Sequence, residues 1–120
     1  MRAALLGAAL ALLPAAAAAQ TAQVFIERAE RLSKMGMGAM FSSETRLTLN
    51  AFRDAAKATR EENLRAKTAG KPLYCPPEQS ARMKPDELIA MLKAVPEERR
   101  RSASLQLVWR DALIRRYPCS

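Results

Sequence analysis

The chain contains no histidine. That removes at once the commonest general acid–base group and the commonest metal ligand. Two cysteines are too few for a four-thiolate zinc site. Six aromatic side chains offer no platform on which single-stranded bases could stack. No glycine-rich phosphate loop is present. No stretch alternates polar and apolar residues with period two, so no sheet is expected. The carboxylates fall in the first turns of helices or in i, i+4 pairs with Lys or Arg, so no nucleophile, base and acid assemble into a catalytic set. Neither enzymatic activity nor a cofactor is expected.

What is present begins at Met1. Arg2 supplies a positive start, Ala3 to Leu13 an apolar run, Pro14 a break, and Ala15 to Ala19 a string of small residues. Ala17-Ala18-Ala19 before Gln20 satisfies the small-x-small requirement of signal peptidase, which predicts a cleavable leader over 1–19 with cleavage between Ala19 and Gln20. The rival is a membrane anchor. A spanning helix wants roughly 20 strongly apolar residues, and this run is shorter, mostly alanine and interrupted by proline. Export to the periplasm with no stable anchor is expected, leaving a single helical domain over 20–120.

In an oxidising compartment two cysteines pair, and only one pairing exists, Cys75 with Cys119. Two buried free thiols are the alternative. A domain of about 100 residues buries only about 60–65% of its unfolded surface and gains from such a staple. The formal charge is +8, lowered by one to +7 when Arg2 leaves with the leader. Such a surface favours acidic partners. Export and the scarcity of aromatics argue against nucleic acid.

Helical periodicity runs through the mature chain. Phe25, Ala29 and Leu32 share one face of a first helix from Ala22 to about Met35, which carries the pairs Glu27–Arg31 and Glu30–Lys34. Gly36 and Gly38 end it. Ser42 or Ser43 caps a long second helix reaching Thr68, with Leu47, Ala51, Ala55 and Ala58 as its apolar ridge and Leu49, Phe52 and Ala56 beside it. Its polar half beyond Ala58 is expected to project into solvent. Gly70 to Lys84 is a loop holding Pro72, Pro76 and Pro77. Pro85 opens a third helix with Leu88, Met91, Leu92 and Val95 buried. Val95-Pro96 starts a fourth, in which Leu105, Val108, Trp109, Ala112 and Leu113 form the stripe, Asp111 pairs with Arg115, and Pro118 closes the chain of helices. The expected fold is all-α: a small bundle of about four helices with one disulfide.

Three groups of residues stand out as candidate sites. Met35, Met37 and Met40 could offer three thioethers to Cu(I), a soft ion; the alternative is that they fill gaps at the turn. Arg99-Arg100-Arg101 spreads around a helix; Arg101 is expected to snorkel at the core edge, and Arg99 and Arg100 to be free for a partner, against the alternative of a solvated face. Tyr74, between prolines in the loop, is expected to be exposed, whereas Trp109 belongs to the core stripe.

The C-terminal half has a further pattern. Tyr74-Cys75-Pro76-Pro77 precedes Asp86-Glu87-Leu88-Ile89 and Met91-Leu92; Val95-Pro96-Glu97-Glu98 follows, then Ser102-Ala103-Ser104, Leu107-Val108, Ala112-Leu113 and Tyr117-Pro118-Cys119. Over roughly Pro72 to Cys119 this resembles the Rap/Tai family, small periplasmic helical immunity proteins that neutralise cell-wall amidases delivered by type VI secretion. The family's further cysteines are missing from Leu47 to Asp54, so a second bridge is excluded. The resemblance implies a protein partner, a cell-wall amidase effector whose cleft is occluded without chemistry, and a homodimer as a common state. It points to Lys71, Tyr74, Arg99 and Arg100 as the contacting surface. A periplasmic chaperone of the acid-stress type and a methionine-based Cu(I) carrier are the alternative functions.

Overall fold

The Thr21 hydroxyl accepts from the Val24 amide and caps α1 (Ala22–Lys34). In this computed structural model the structure describes residues 20–77 and 83–120. The leader expected over 1–19, Ala19 of its cleavage site included, lies outside the described residues. Gly36, at φ +60°, takes the left-handed conformation and turns the chain into a short 3₁₀ segment (Gly36–Phe41). Ser42 then caps α2 (Ser43–Thr68), accepting from the Glu44 amide. Three further helices follow, α3 (Pro85–Lys93), α4 (Glu97–Ser102) and α5 (Leu105–Arg116). The fold is all-α, with no strand among the described residues.

The helix expected from Pro96 to Arg116 is two helices, not one. Ala103 is extended (φ −113°, ψ 154°), and the Ser104 hydroxyl caps α5 by accepting from Leu107. The break lets the start of the domain dock there: the Ala22 amide donates to Ala103 O at 3.1 Å, and the Leu105 amide to Gln20 O at 3.1 Å. One antiparallel bridge, Thr21 to Ser104, thus stitches the first helix to the last.

Helix α5 lies at the centre, touching α1, α2, α3 and α4. Its stripe of Leu105, Val108, Trp109, Ala112 and Leu113 is buried as the spacing predicts. Phe25 of α1, Leu92 and Val95 around the end of α3, and Ala55 of α2 complete the core. Phe52 joins the two largest groups: its ring stacks on Phe25 (6.1 Å) and meets Trp109 edge-on (4.9 Å). Burial of a side chain such as Ile26, Leu92 or Val108 contributes about 1.5–3 kcal/mol.

Helix α2 corrects two expectations. Its buried line is Thr48, Phe52, Ala55 and Thr59, while Leu47 and Leu49 stay 65% and 49% exposed. The threonines can be buried because each hydroxyl is satisfied within the helix, Thr48 donating to Glu44 O and Thr59 to Ala55 O. The second half of α2, though exposed on its outer side, is tied to the rest of the fold along its inner side. Asn63 Oδ1 accepts from the amides of Leu73 (2.8 Å) and Tyr74 (3.2 Å), and its Nδ2 donates to Tyr74 O (3.0 Å). Glu62 meets Arg110 of α5 at 2.9 Å.

The chain leaves α2 through a Schellman turn: Lys71 N donates to Ala66 O and Gly70 N to Lys67 O, with Gly70 left-handed at φ +88°. The following strap, Lys71 to Pro77, lies along α2 through Asn63. It is fixed to the C-terminus by the Cys75 amide donating to Tyr117 O (2.8 Å) and by the Cys75–Cys119 disulfide, Cα atoms 5.0 Å apart. There is no free cysteine. Closing a loop with a sequence separation of 44 lowers the entropy of the unfolded chain by up to roughly 4 kcal/mol at room temperature.

The ion pairs join helices rather than decorating single ones. Glu30 pairs with Lys93, Asp111 with Arg99, and Glu44 with Arg28 and Arg31; Glu97–Arg101 alone is an i, i+4 pair. The expected partners Glu30–Lys34, Glu27–Arg31 and Asp111–Arg115 are replaced because tertiary packing brings a second helix within reach. The Lys93 hydrogen bond holds the Glu30 carboxyl below its ordinary value, and the Arg101 hydrogen bond does the same for Glu97.

Two outcomes are expected. Asn63→Ala removes three hydrogen bonds and leaves backbone groups of the strap unpaired, which should lower unfolding stability by about 2–3 kcal/mol in a urea titration; an unchanged midpoint would refute the clamp. Carboxyls depressed in the fold give stability that is complete above their ordinary value and lost as pH falls through the folded one. The urea midpoint should therefore hold above about pH 4.5 and drop below it, and an E30Q/E97Q double variant should show a shallower drop.

Candidate functional site

The residues expected to contact a partner are not all exposed. Lys71 is exposed at the start of the strap, but Tyr74 is buried, 6% exposed, its phenol pushed above its ordinary value by that burial. The exposed-anchor reading of Tyr74 is thus corrected: Asn63 holds its backbone on both sides and draws the ring inward. Arg99 is engaged, Nε to Asp111 Oδ2 at 2.9 Å. Arg100 is half-buried, with its Nε lacking a partner among the described residues, and Arg101, exposed like Arg99, is turned to Glu97 instead of the core edge. No hydrogen bond or ion pair links Lys71 or Tyr74 to Arg99 or Arg100 among the described residues.

The methionines have a different fate. Met35, Met37 and Met40 are 52%, 79% and 75% exposed, so they do not fill gaps at the turn. Three residues per turn places Met37 and Met40 on the same side of the 3₁₀ segment, while Met35 precedes it as its cap. Among the described residues no three His, Cys, Asp or Glu side chains gather as metal ligands would.

The prominent surface is the end of the molecule where α1 turns into α2. Phe41 is 90% exposed. It occupies the position just before the N-cap Ser42, where an apolar residue ordinarily packs against an apolar residue at the fourth helical position. Here that position is Arg46, so Phe41 has nothing to cover it. With Met37 and Met40 it forms an apolar tip.

Beside the tip lies an open apolar groove of about 440 Å³, walled by Phe25 and Leu32 of α1, Leu49 and Phe52 of α2, and Leu88 and Ile89 of α3. A smaller hollow of about 230 Å³ continues from it past Met40 and Phe41 to Arg46 and Arg53. Thr45 stands in the wall of both, its hydroxyl buried and unpaired among the described residues. Neither Arg46 nor Arg53 belongs to an ion pair among the described residues. An apolar tip, an adjoining groove, a spare hydroxyl and two free guanidiniums can hold an apolar side chain and an acidic group together.

Compared with protein-family models, curated proteins and solved structures, the chain matches none. The surface must therefore be argued from its own chemistry. Sequence reasoning weighed the methionines only as ligands or packing. The signal that pointed outward was Phe41 followed five residues later by Arg46, an aromatic staple residue without an apolar mate.

Because the tip supports nothing beneath it, replacing it should leave stability alone. An M37S/M40S/F41S variant should unfold within about 0.5 kcal/mol of the parent while binding less of an environment-sensitive apolar dye. A large loss of stability would mean that these side chains belong to the core.

Proposed function

We propose that the chain is an exported periplasmic binding protein of the immunity type, which occludes the cleft of a cell-wall amidase effector. The observation that carries this reading is the uncovered tip of Met37, Met40 and Phe41 beside an open apolar groove, flanked by Arg46 and Arg53. An occluding protein needs a surface that protrudes, is apolar at its centre and is charged at its edge, because apolar anchors supply most of the affinity and rim charges steer the encounter. The cysteine, proline and apolar spacing from Pro72 to Cys119 supports the same family of functions. The partner surface moves, however, from the strap and Arg99 to the α1–α2 turn, since Tyr74 is buried and Arg99 is already paired.

Exposed methionine also favours a second reading, a chaperone of the acid-stress type, because flexible thioether chains adapt to many apolar clients. The Glu30–Lys93 pair between α1 and α3 would loosen as Glu30 protonates, and the Glu97–Arg101 pair within α4 as Glu97 does, exposing more surface in acid. Suppression of client aggregation near pH 2–3, where carboxyls are largely neutral, supports that reading, and no protection disposes of it.

The deciding experiment is co-expression with an amidase or peptidase effector encoded beside this gene and directed to the periplasm. Growth should be rescued by the parent chain and lost with the M37S/M40S/F41S variant, while Lys71→Ala and Arg99→Ala rescue normally. Failure of the parent to rescue growth from any such effector overturns the immunity reading.

A further inference from the structure

Helix α2 carries a second feature, of which the docking tip uses only the first two cations. At about 100° per residue, Arg46, Arg53, Lys57, Arg60 and Lys67 fall on one line along the helix, with Asn50 and Leu64 between them. All seven are exposed. The line runs opposite the buried face of Thr48, Ala55 and Thr59, so nothing in the fold covers it. From Arg46 to Lys67 it spans roughly 30 Å at 1.5 Å per residue. None of its five cations is in an ion pair among the described residues. The nearest carboxylates on α2, Asp54 and Glu61, both lie on one flank, about 60–80° off the line.

Five other described arginines are paired: Arg28 and Arg31 with Glu44, Arg99 with Asp111, Arg101 with Glu97, and Arg110 with Glu62. Other described cations also lack an ion pair, among them Lys34, Arg65, Lys71, Arg100 and Arg116, but the α2 line aligns five along one helix edge. At its N-terminal end that edge meets the apolar tip, since Met40 and Phe41 share a hollow with Arg46 and Arg53. Leu64, 55% exposed, adds an apolar side chain within the line itself.

We propose that the α2 edge is a membrane-surface contact, which lays the protein on a bilayer of anionic phospholipid with the Met37–Met40–Phe41 tip entering the interface. A straight cationic edge suits a plane of phosphates. The exposed apolar side chains of the tip suit a fluid interface, which accepts them without a complementary cavity. Arginine and lysine near such a surface gain from its negative potential, and that gain falls off within a Debye length. No described helix is long and apolar enough to cross a membrane, so the contact is with the surface. This proposal does not rest on the immunity reading, because Lys57, Arg60 and Lys67 lie beyond the groove and the tip.

The test is co-sedimentation of the oxidised protein, recovered after export, with vesicles of equal parts phosphatidylglycerol and phosphatidylcholine. Binding is expected at about 0.1 M salt and should be lost near 0.5 M as screening shortens. Vesicles of phosphatidylcholine alone should not bind. K57E/R60E/K67E should reduce binding on the order of ten-fold or more, and the neutral K57Q/R60Q/K67Q should fall between it and the parent. The neutral variant serves if the reversed one fails to fold, as read by thermal unfolding. Amidase rescue should survive these substitutions, which separates the two proposals. No binding to the anionic vesicles overturns the inference, as does binding that the charge substitutions leave unchanged. M37S/M40S/F41S binding as well as the parent overturns it too, reducing the contact to bare adsorption. Capture by polyglutamate without capture by vesicles would make the edge a protein site instead.

Discussion

The carboxamide of Asn63 is the constraint on which the lower half of this molecule depends. A strap rich in proline cannot satisfy its own backbone, because proline has no amide hydrogen and forbids helix. Asn63 supplies what a neighbouring strand would supply, accepting from the amides of Leu73 and Tyr74 and donating to the Tyr74 carbonyl. With the strap held on α2, Tyr74 is driven into the core and Cys75 is delivered to Tyr117 and Cys119. The disulfide then fixes the C-terminus to the same point. One amide and one covalent bond thus turn the polar half of α2, the strap and the tail into a single unit.

This clamp explains where the sequence was legible and where it was not. Helix starts and stops follow local chemistry, so Ser42, Gly36, Pro85 and the α5 stripe could be read directly. Asn63 could not, because an asparagine in a polar run looks the same whether it faces water or a backbone 10 residues away. The partition of the last helix was hidden for a related reason. Ala103 and Ser104 are compatible with helix, and the break is stabilised by Gln20 and Ala22, which lie far away in sequence. Charge pairing failed in the same direction. An i, i+4 rule finds the neighbour on one cylinder, whereas Glu30 and Asp111 find theirs on another.

The candidate site was partly legible for the opposite reason: it is defined by something local that is missing. Phe41 stands where a staple residue belongs, and Arg46 stands where its apolar mate belongs. In an ordinary helix start that mismatch would be a small defect. Placed at the one tight turn between α1 and α2, next to two exposed methionines, it leaves a contiguous apolar surface that folding does not consume.

The molecule therefore divides its labour along α2. The C-terminal half of that helix is bound on its inner side by Asn63 and Glu62, and the covalent link lies at that end. The N-terminal half leads to a turn that no cross-link or staple restrains. Stability and contact are thus drawn from different ends of one helix, which lets the apolar tip vary without cost to the core. The outer line of cations runs along most of the helix, from Arg46 and Arg53 beside the tip to Lys67 near the clamped end. Charge that folding neither pairs nor buries is retained at a cost in self-repulsion, most simply offset when the edge lies against an anionic surface.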